Sequence, residues 1–121
     1  ALENVILPSL INKEITKDER RKKAIKLLEL VGLENRLNHK PKELSGGEAQ
    51  RVAVARSLIN NPKIIIADEP TGNLDKTSEL IIFKLLKEIS KQDKIVIVVS
   101  HNELIKEYAN KVYYLDDGVL K

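Results

Sequence analysis

The chain has 121 residues, 42% of them hydrophobic and 32% charged, with 21 basic against 18 acidic side chains for a net charge of +3. This composition reads as a soluble globular domain with a modest core, and so small a positive excess gives no ground for expecting a nucleic-acid partner. Cysteine is absent, which excludes disulfides, thiolate metal sites and thiol nucleophiles, and no apolar run reaches the roughly 20 residues a membrane-spanning helix needs. Residues 1–60 read as helical. A short apolar stretch over 3–11 is interrupted by Pro8. Thr16 and Glu19 are spaced as a capping box, and Ala24, Leu27, Leu28 and Val31 follow at helical intervals until Gly32 ends the pattern. The basic run Arg20-Arg21-Lys22-Lys23 reads as a solvated helix face, with an electrostatic patch for nucleic acid or membrane as the other reading. A polar connection over 33–43 leads to a second helix from Ser45 to about residue 60.

From Pro62 onward the period changes. Residues 63–67 are an almost wholly apolar run, as in a strand buried on both faces. A helix is predicted over 75–91, with Ile82, Leu85, Leu86 and Ile89 on one stripe. A second buried strand follows over 94–100, then a short helix over 102–110 and a third strand over 111–115. Asp116-Asp117-Gly118 makes a tight turn into an edge strand. The order predicts an α/β fold: a helical subdomain over 1–57, then a mainly parallel sheet with right-handed crossovers over 58–121. Such a half-sheet is expected to leave an edge and one face poorly covered. The chain begins with Ala1 and contains no Met, so it is expected to be a segment of a longer polypeptide.

Three segments and one histidine carry the chemistry. Ser45 and Glu48 form a second capping box, so a well-capped helix start is the plain reading of Leu44-Ser45-Gly46-Gly47-Glu48. Two glycines there cost about 1 kcal/mol each relative to Ala. They suggest that something approaches the backbone closely, and a helix N-terminus with bare N–H groups suits a phosphate. Asp68 and Glu69 end the first strand, the end at which α/β sheets bind ligands. Adjacent carboxylates there are costly when buried unless a cation or hydrogen bonds compensate them. Asp75 is spaced as the N-cap of the following helix. His101 follows the second strand, as an ordinary loop residue or a ligand contact. No G-x-x-x-x-G-K-[ST] phosphate loop occurs within these 121 residues.

In order and spacing, Leu44 to Glu48 with its continuation Gln50-Arg51-Val52-Ala53-Val54-Ala55-Arg56, Ile64 to Glu69, Pro70 to Asp75, and His101 resemble the signature motif, Walker B strand, D-loop and switch histidine of an ATP-binding cassette (ABC) ATPase. Glu48 stands where many family members carry Gln. The resemblance runs from residues 1–5, similar to the segment after the Q-loop, to residues 111–120. The wording of residues 67–75 is similar to the exporter group that includes lipoprotein-releasing, macrolide and antimicrobial-peptide systems. It implies a helical subdomain followed by part of a P-loop NTPase (RecA-like) sheet, with ATP and Mg²⁺ as cofactors. Asp68 would hold Mg²⁺ through water, Glu69 would be the general base, and His101 would contact the γ-phosphate. Ser45, Gly46, Gly47 and Glu48 would meet a nucleotide held by another chain, and Asp75 would cross the dimer interface. The implied partners are a second ABC ATPase chain, as a homodimer, and transmembrane permease subunits docked near residues 1–40. The implied location is cytoplasmic, peripheral at the inner face of the cell membrane. The resemblance implies an ATPase in the full-length parent and an isolated chain inactive for want of the Walker A half. A non-transport ABC-type ATPase of DNA repair or chromosome maintenance, or a non-catalytic interaction fragment, are the alternatives. The short helical segment without sustained heptads counts against the first of these.

Overall fold

The computed structural model describes residues 1–11 and 14–121; residues 12 and 13, within the stretch read as helical, lie outside the described residues. The chain opens with α1 (Leu2–Ile6), which tightens into a 3-10 turn over Leu7–Ile11. Pro8 lacks the N–H an α ladder would use there. Helix α2 (Lys17–Leu30) starts at the expected capping box: Thr16 Oγ1 accepts the Glu19 N–H at 3.2 Å, and Glu19 Oε2 accepts the Thr16 N–H at 3.3 Å. Its end is set by Gly32, whose φ of +76° takes the left-handed turn that favours glycine. Two 3-10 turns, Glu34–Arg36 and Pro41–Glu43, then deliver the chain to α3 (Gly46–Leu58). In the basic run, Arg21 and Lys22 are exposed on α2, while Arg20 Nε donates to the Ser9 carbonyl at 3.1 Å.

Helices α1, α2 and α3 pack on one another through Val5, Ala24, Leu28, Val52 and Ala55, all 2% exposed or less. The same buried cluster continues into Ile65 of β1 (Ile64–Asp68) and Ile89 of α4 (Lys76–Ser90). Strand β2 (Ile95–Val99) pairs parallel with β1 in the register Ile64↔Ile95 through Asp68↔Val99. A parallel pair needs a crossover, and α4 supplies it. The α4 stripe behaves as expected, with Ile82, Leu86 and Ile89 buried and Leu85 packed at the edge of the core. No helix among the described residues is long and apolar enough to cross a membrane.

Three expectations are corrected. The strands are not buried on both faces. Ile65 is buried and Val96 packs against the core, whereas Ile66 is 71% exposed and Ile95 60%, with Ile64, Ile97 and Val99 also open. An apolar run records that two covered faces would suit it; among the described residues one face packs on the shared core, α4 included, and the other is open. The third strand over 111–115 does not join the sheet. Instead β3 (Leu115–Asp116) and β4 (Val119–Leu120) form an antiparallel hairpin. Asp117 and Gly118, at φ +47° and +77°, make the expected tight turn, and local closure wins over pairing with β2. The helix over 102–110 is only a 3-10 turn, Glu103–Glu107, started by Asn102 Oδ1 accepting the Leu104 N–H at 3.0 Å.

Candidate functional site

The parallel register brings the C-terminal ends of β1 and β2 side by side. Asp68, the last residue of β1, is exposed, so its charge needs no internal compensation. Glu69 leaves the strand at φ +47°, a conformation uncommon for a non-glycine residue. Its N–H donates to the Val99 carbonyl at 2.7 Å and its carbonyl accepts the Gly72 N–H at 3.2 Å. These two bonds hold the kink and turn the chain into the buried Pro70-Thr71 pair. The carboxylate then meets residue 101: Glu69 Oε1 accepts the His101 backbone N–H at 3.1 Å and lies 3.5 Å from His101 Nε2. The His101 side chain is otherwise fully exposed. One Glu69 oxygen thus meets both the backbone and the ring of a residue far away in sequence, at the carboxyl ends of the strands, where α/β sheets generally bind ligands.

The second cluster lies at the start of α3. Ser45 Oγ accepts the Glu48 N–H at 3.1 Å and Glu48 Oε1 accepts the Ser45 N–H at 3.2 Å, the expected box. The two glycines differ. A Cβ on Gly47 would sit 2.6 Å from Ser78 Oγ and 3.0 Å from Ser78 Cβ, so what approaches Gly47 closely is the first turn of α4. At Gly46 a Cβ would meet only Leu74 Cδ2, at an ordinary 3.6 Å. The close approach expected from the pair is therefore met inside the chain at Gly47, while Gly46 stays exposed. Asp75 caps α4, with Oδ2 accepting the Ser78 N–H at 3.4 Å, and its bonding to Ser78 holds its carboxyl below the usual range. The segment from Glu69 to Ser78 thus runs from the carboxylate pair to the glycine pair.

Sequence reasoning passed over Arg36. Its Nε donates to Glu48 Oε2 at 2.9 Å, and this bond, more than those to Ser45, holds the Glu48 carboxyl below its ordinary value. Arg36 lay in a stretch read only as polar connection, and a contact across twelve positions of irregular chain has no periodic signal. Arg36, Ser45, Glu48 and Arg51 line a cleft of about 380 Å³. Arg51 Nη1 donates to the Val31 carbonyl at 3.1 Å, closing over Gly32.

A sequence profile described as ABC transporter matches residues 2–72. The chain belongs to the ABC transporter ATP-binding domain family. An uncharacterized ABC transporter ATP-binding protein of Methanocaldococcus jannaschii is 53% identical over 118 residues, 98% of this chain and 52% of that protein. The lipoprotein-releasing system ATP-binding protein LolD of Francisella tularensis subsp. holarctica is 49% identical over 122 residues, 100% of this chain and 53% of that protein. Among solved structures, a dimeric ATP-binding cassette in a post-hydrolysis state, bound to ADP and Pi, matches with a TM-score of 0.82 at 45% identity, covering 97% of this chain and 52% of that one. The chain spans about half the length of the curated relatives it matches. The expected mixed α/β architecture is that of these cassettes.

Proposed function

We propose that this ABC chain is part of an ATP-hydrolysing transporter subunit. Residues 1–57 form its signature-bearing helical subdomain, and residues 58–121 form the C-terminal part of its ATPase core. The observation that carries the reading is the Glu69–His101 pairing at the ends of two parallel strands. Glu69 has one carboxylate oxygen fixed by the His101 N–H, which orients it to take a proton from an attacking water. His101 is held through its backbone, and its exposed ring, with Nε2 3.5 Å from Glu69 Oε1, would reach a γ-phosphate. Ser45, Gly46, Gly47 and Glu48 would face the nucleotide of a second cassette, with Asp75 at the crossing between the two. Asp68 is a single exposed carboxylate, and among the described residues no group of three or more His, Cys, Asp or Glu could hold a metal. That donor set fits Mg²⁺ held through water with the substrate's phosphates, not a cage of protein ligands. When bound, the ion would supply neutralisation of phosphate charge.

The names of the matched relatives favour transport over DNA repair, and the LolD-like ones favour a lipoprotein-releasing or similar exporter. A dimer of cassettes working with permease subunits at the inner face of the membrane is the corresponding assembly. The test uses a chimera in which residues 1–121 replace the matching half of the 53% identical relative. Glu69→Gln in that chimera is expected to leave ATP bound and to lower turnover by about 10²–10⁴-fold, the usual contribution of a general base. Unchanged phosphate release would remove Glu69 from that role. The 121-residue chain alone is expected to show negligible hydrolysis, having no phosphate-loop lysine.

A further inference from the structure

Glu48 places a negative charge in the first turn of α3, the helix end whose free N–H groups attract anions. A carboxylate there acts in two opposed ways. It stabilises the helix start, and it repels any phosphate approaching the same N–H groups. Resting on the reading that this helix start meets a nucleotide phosphate, we infer that Arg36 is a positioning residue that reconciles the two effects. It binds Glu48 from the side and neutralises it, so that Ser45, Gly46 and Gly47 present an uncontested helix end to the phosphate.

The geometry divides Glu48 between two tasks. Oε1 accepts the Ser45 N–H at 3.2 Å, which is the cap, and Oε2 accepts Arg36 Nε at 2.9 Å, which is the neutralisation. Arg36 is brought there by the fold. Gly32 reverses the chain after α2, Leu33 is buried at 2% exposure, and the Leu37 carbonyl accepts the Leu2 N–H at 3.1 Å. The 3-10 turn carrying Arg36 is thus anchored on both sides. Arg51 lines the same cleft, but its guanidinium is engaged by the Val31 carbonyl at the end of α2. The Arg36 and Glu48 side chains are 45% and 20% exposed. A pair so placed contributes little to stability, so its effect is to be sought in the charge a ligand meets.

The test is a titration of the ¹⁵N-labelled chain with tripolyphosphate at constant ionic strength, read at the Gly46 and Gly47 amides. Wild type is expected to shift. Arg36→Ala should bind about 3–10-fold more weakly, the scale of one uncompensated charge near a surface. Arg36→Lys should fall between the two. The double variant Arg36→Ala with Glu48→Gln should return to within about twofold of wild type, because the amide still caps Ser45 but carries no charge. A purely structural role for Arg36 would give no such rescue. Equal affinity for wild type and Arg36→Ala, or a double variant as weak as the single one, overturns the inference and leaves the phosphate reading standing. No shift at either glycine in wild type overturns both.

Discussion

The two ends of the site are held in different ways. At the start of α3 the fixing contacts come from three directions: the Ser45–Glu48 box within the first turn, the Arg36 bond from the 3-10 turn Glu34–Arg36, and Gly47 against Ser78 of α4. At the ends of β1 and β2, Glu69 and His101 are well bonded to each other, but the strands beneath them have one apolar face covered and one open. On the proposed function, the half-site that would be offered to another chain is therefore self-contained. The half-site that the chain would use itself rests on its less well-packed layer, where local opening is expected to be easiest.

The sharpest way to break this comparison is a pair of substitutions one residue apart. Ile65→Ala removes a buried side chain and should cost about 2–5 kcal/mol in urea unfolding. Ile66→Ala, on the open face, should stay within about 0.5 kcal/mol. Equal costs would mean that the open face is covered in solution. Next in size is Gly47→Ala. Helix propensity gains up to about 1 kcal/mol, while overpacking against Ser78 costs about 1–3 kcal/mol, so a net loss of about 1 kcal/mol is expected. Adding Ser78→Gly should recover most of it; no recovery would show that Gly47 is not there for the approach of α4.

The smallest effect is at the exposed cap. Asp75→Ala should cost less than Ile65→Ala or Gly47→Ala, as a lost N-cap at an exposed position. Because the folded-state pKa of Asp75 lies below its ordinary 3.8, the stability it contributes is present above that value and is lost as pH falls through the folded-state pKa. The difference between wild type and Asp75→Ala should accordingly be flat at neutral pH and shrink in acid. A difference that grows as pH falls would contradict the assignment.

What could be read from the sequence was local. Thr16 with Glu19, Ser45 with Glu48, and Asp75 each announce a helix start within three or four positions, and each caps its helix as expected. The α4 stripe was legible for the same reason. The open face of β1 and β2 was not, because Ile64 to Ile66 look alike in sequence whether one layer or two cover them. The hairpin at 115–120 was legible as a turn, yet its failure to join the sheet depends on competition with a distant strand. Asp68, Glu69 and His101 were legible as candidates, but that one Glu69 oxygen meets His101 follows only from the register of β1 on β2. Arg36 needed the reversal at Gly32 to become visible at all.

The division of roles between the two ends can be tested directly by mixing two disabled chimeras. One carries Gly46→Asp, whose Cβ would meet Leu74 Cδ2 at an ordinary 3.6 Å and whose carboxylate puts a repelling charge at the start of α3. The other carries Glu69→Gln. Each alone should be nearly inactive. If Gly46 serves the nucleotide of the other chain while Glu69 serves its own, a mixed dimer has one intact site. An equimolar mixture should then regain about one quarter of wild-type turnover, since half the dimers are mixed and each holds one complete site of two. A mixture no more active than its components would contradict the account.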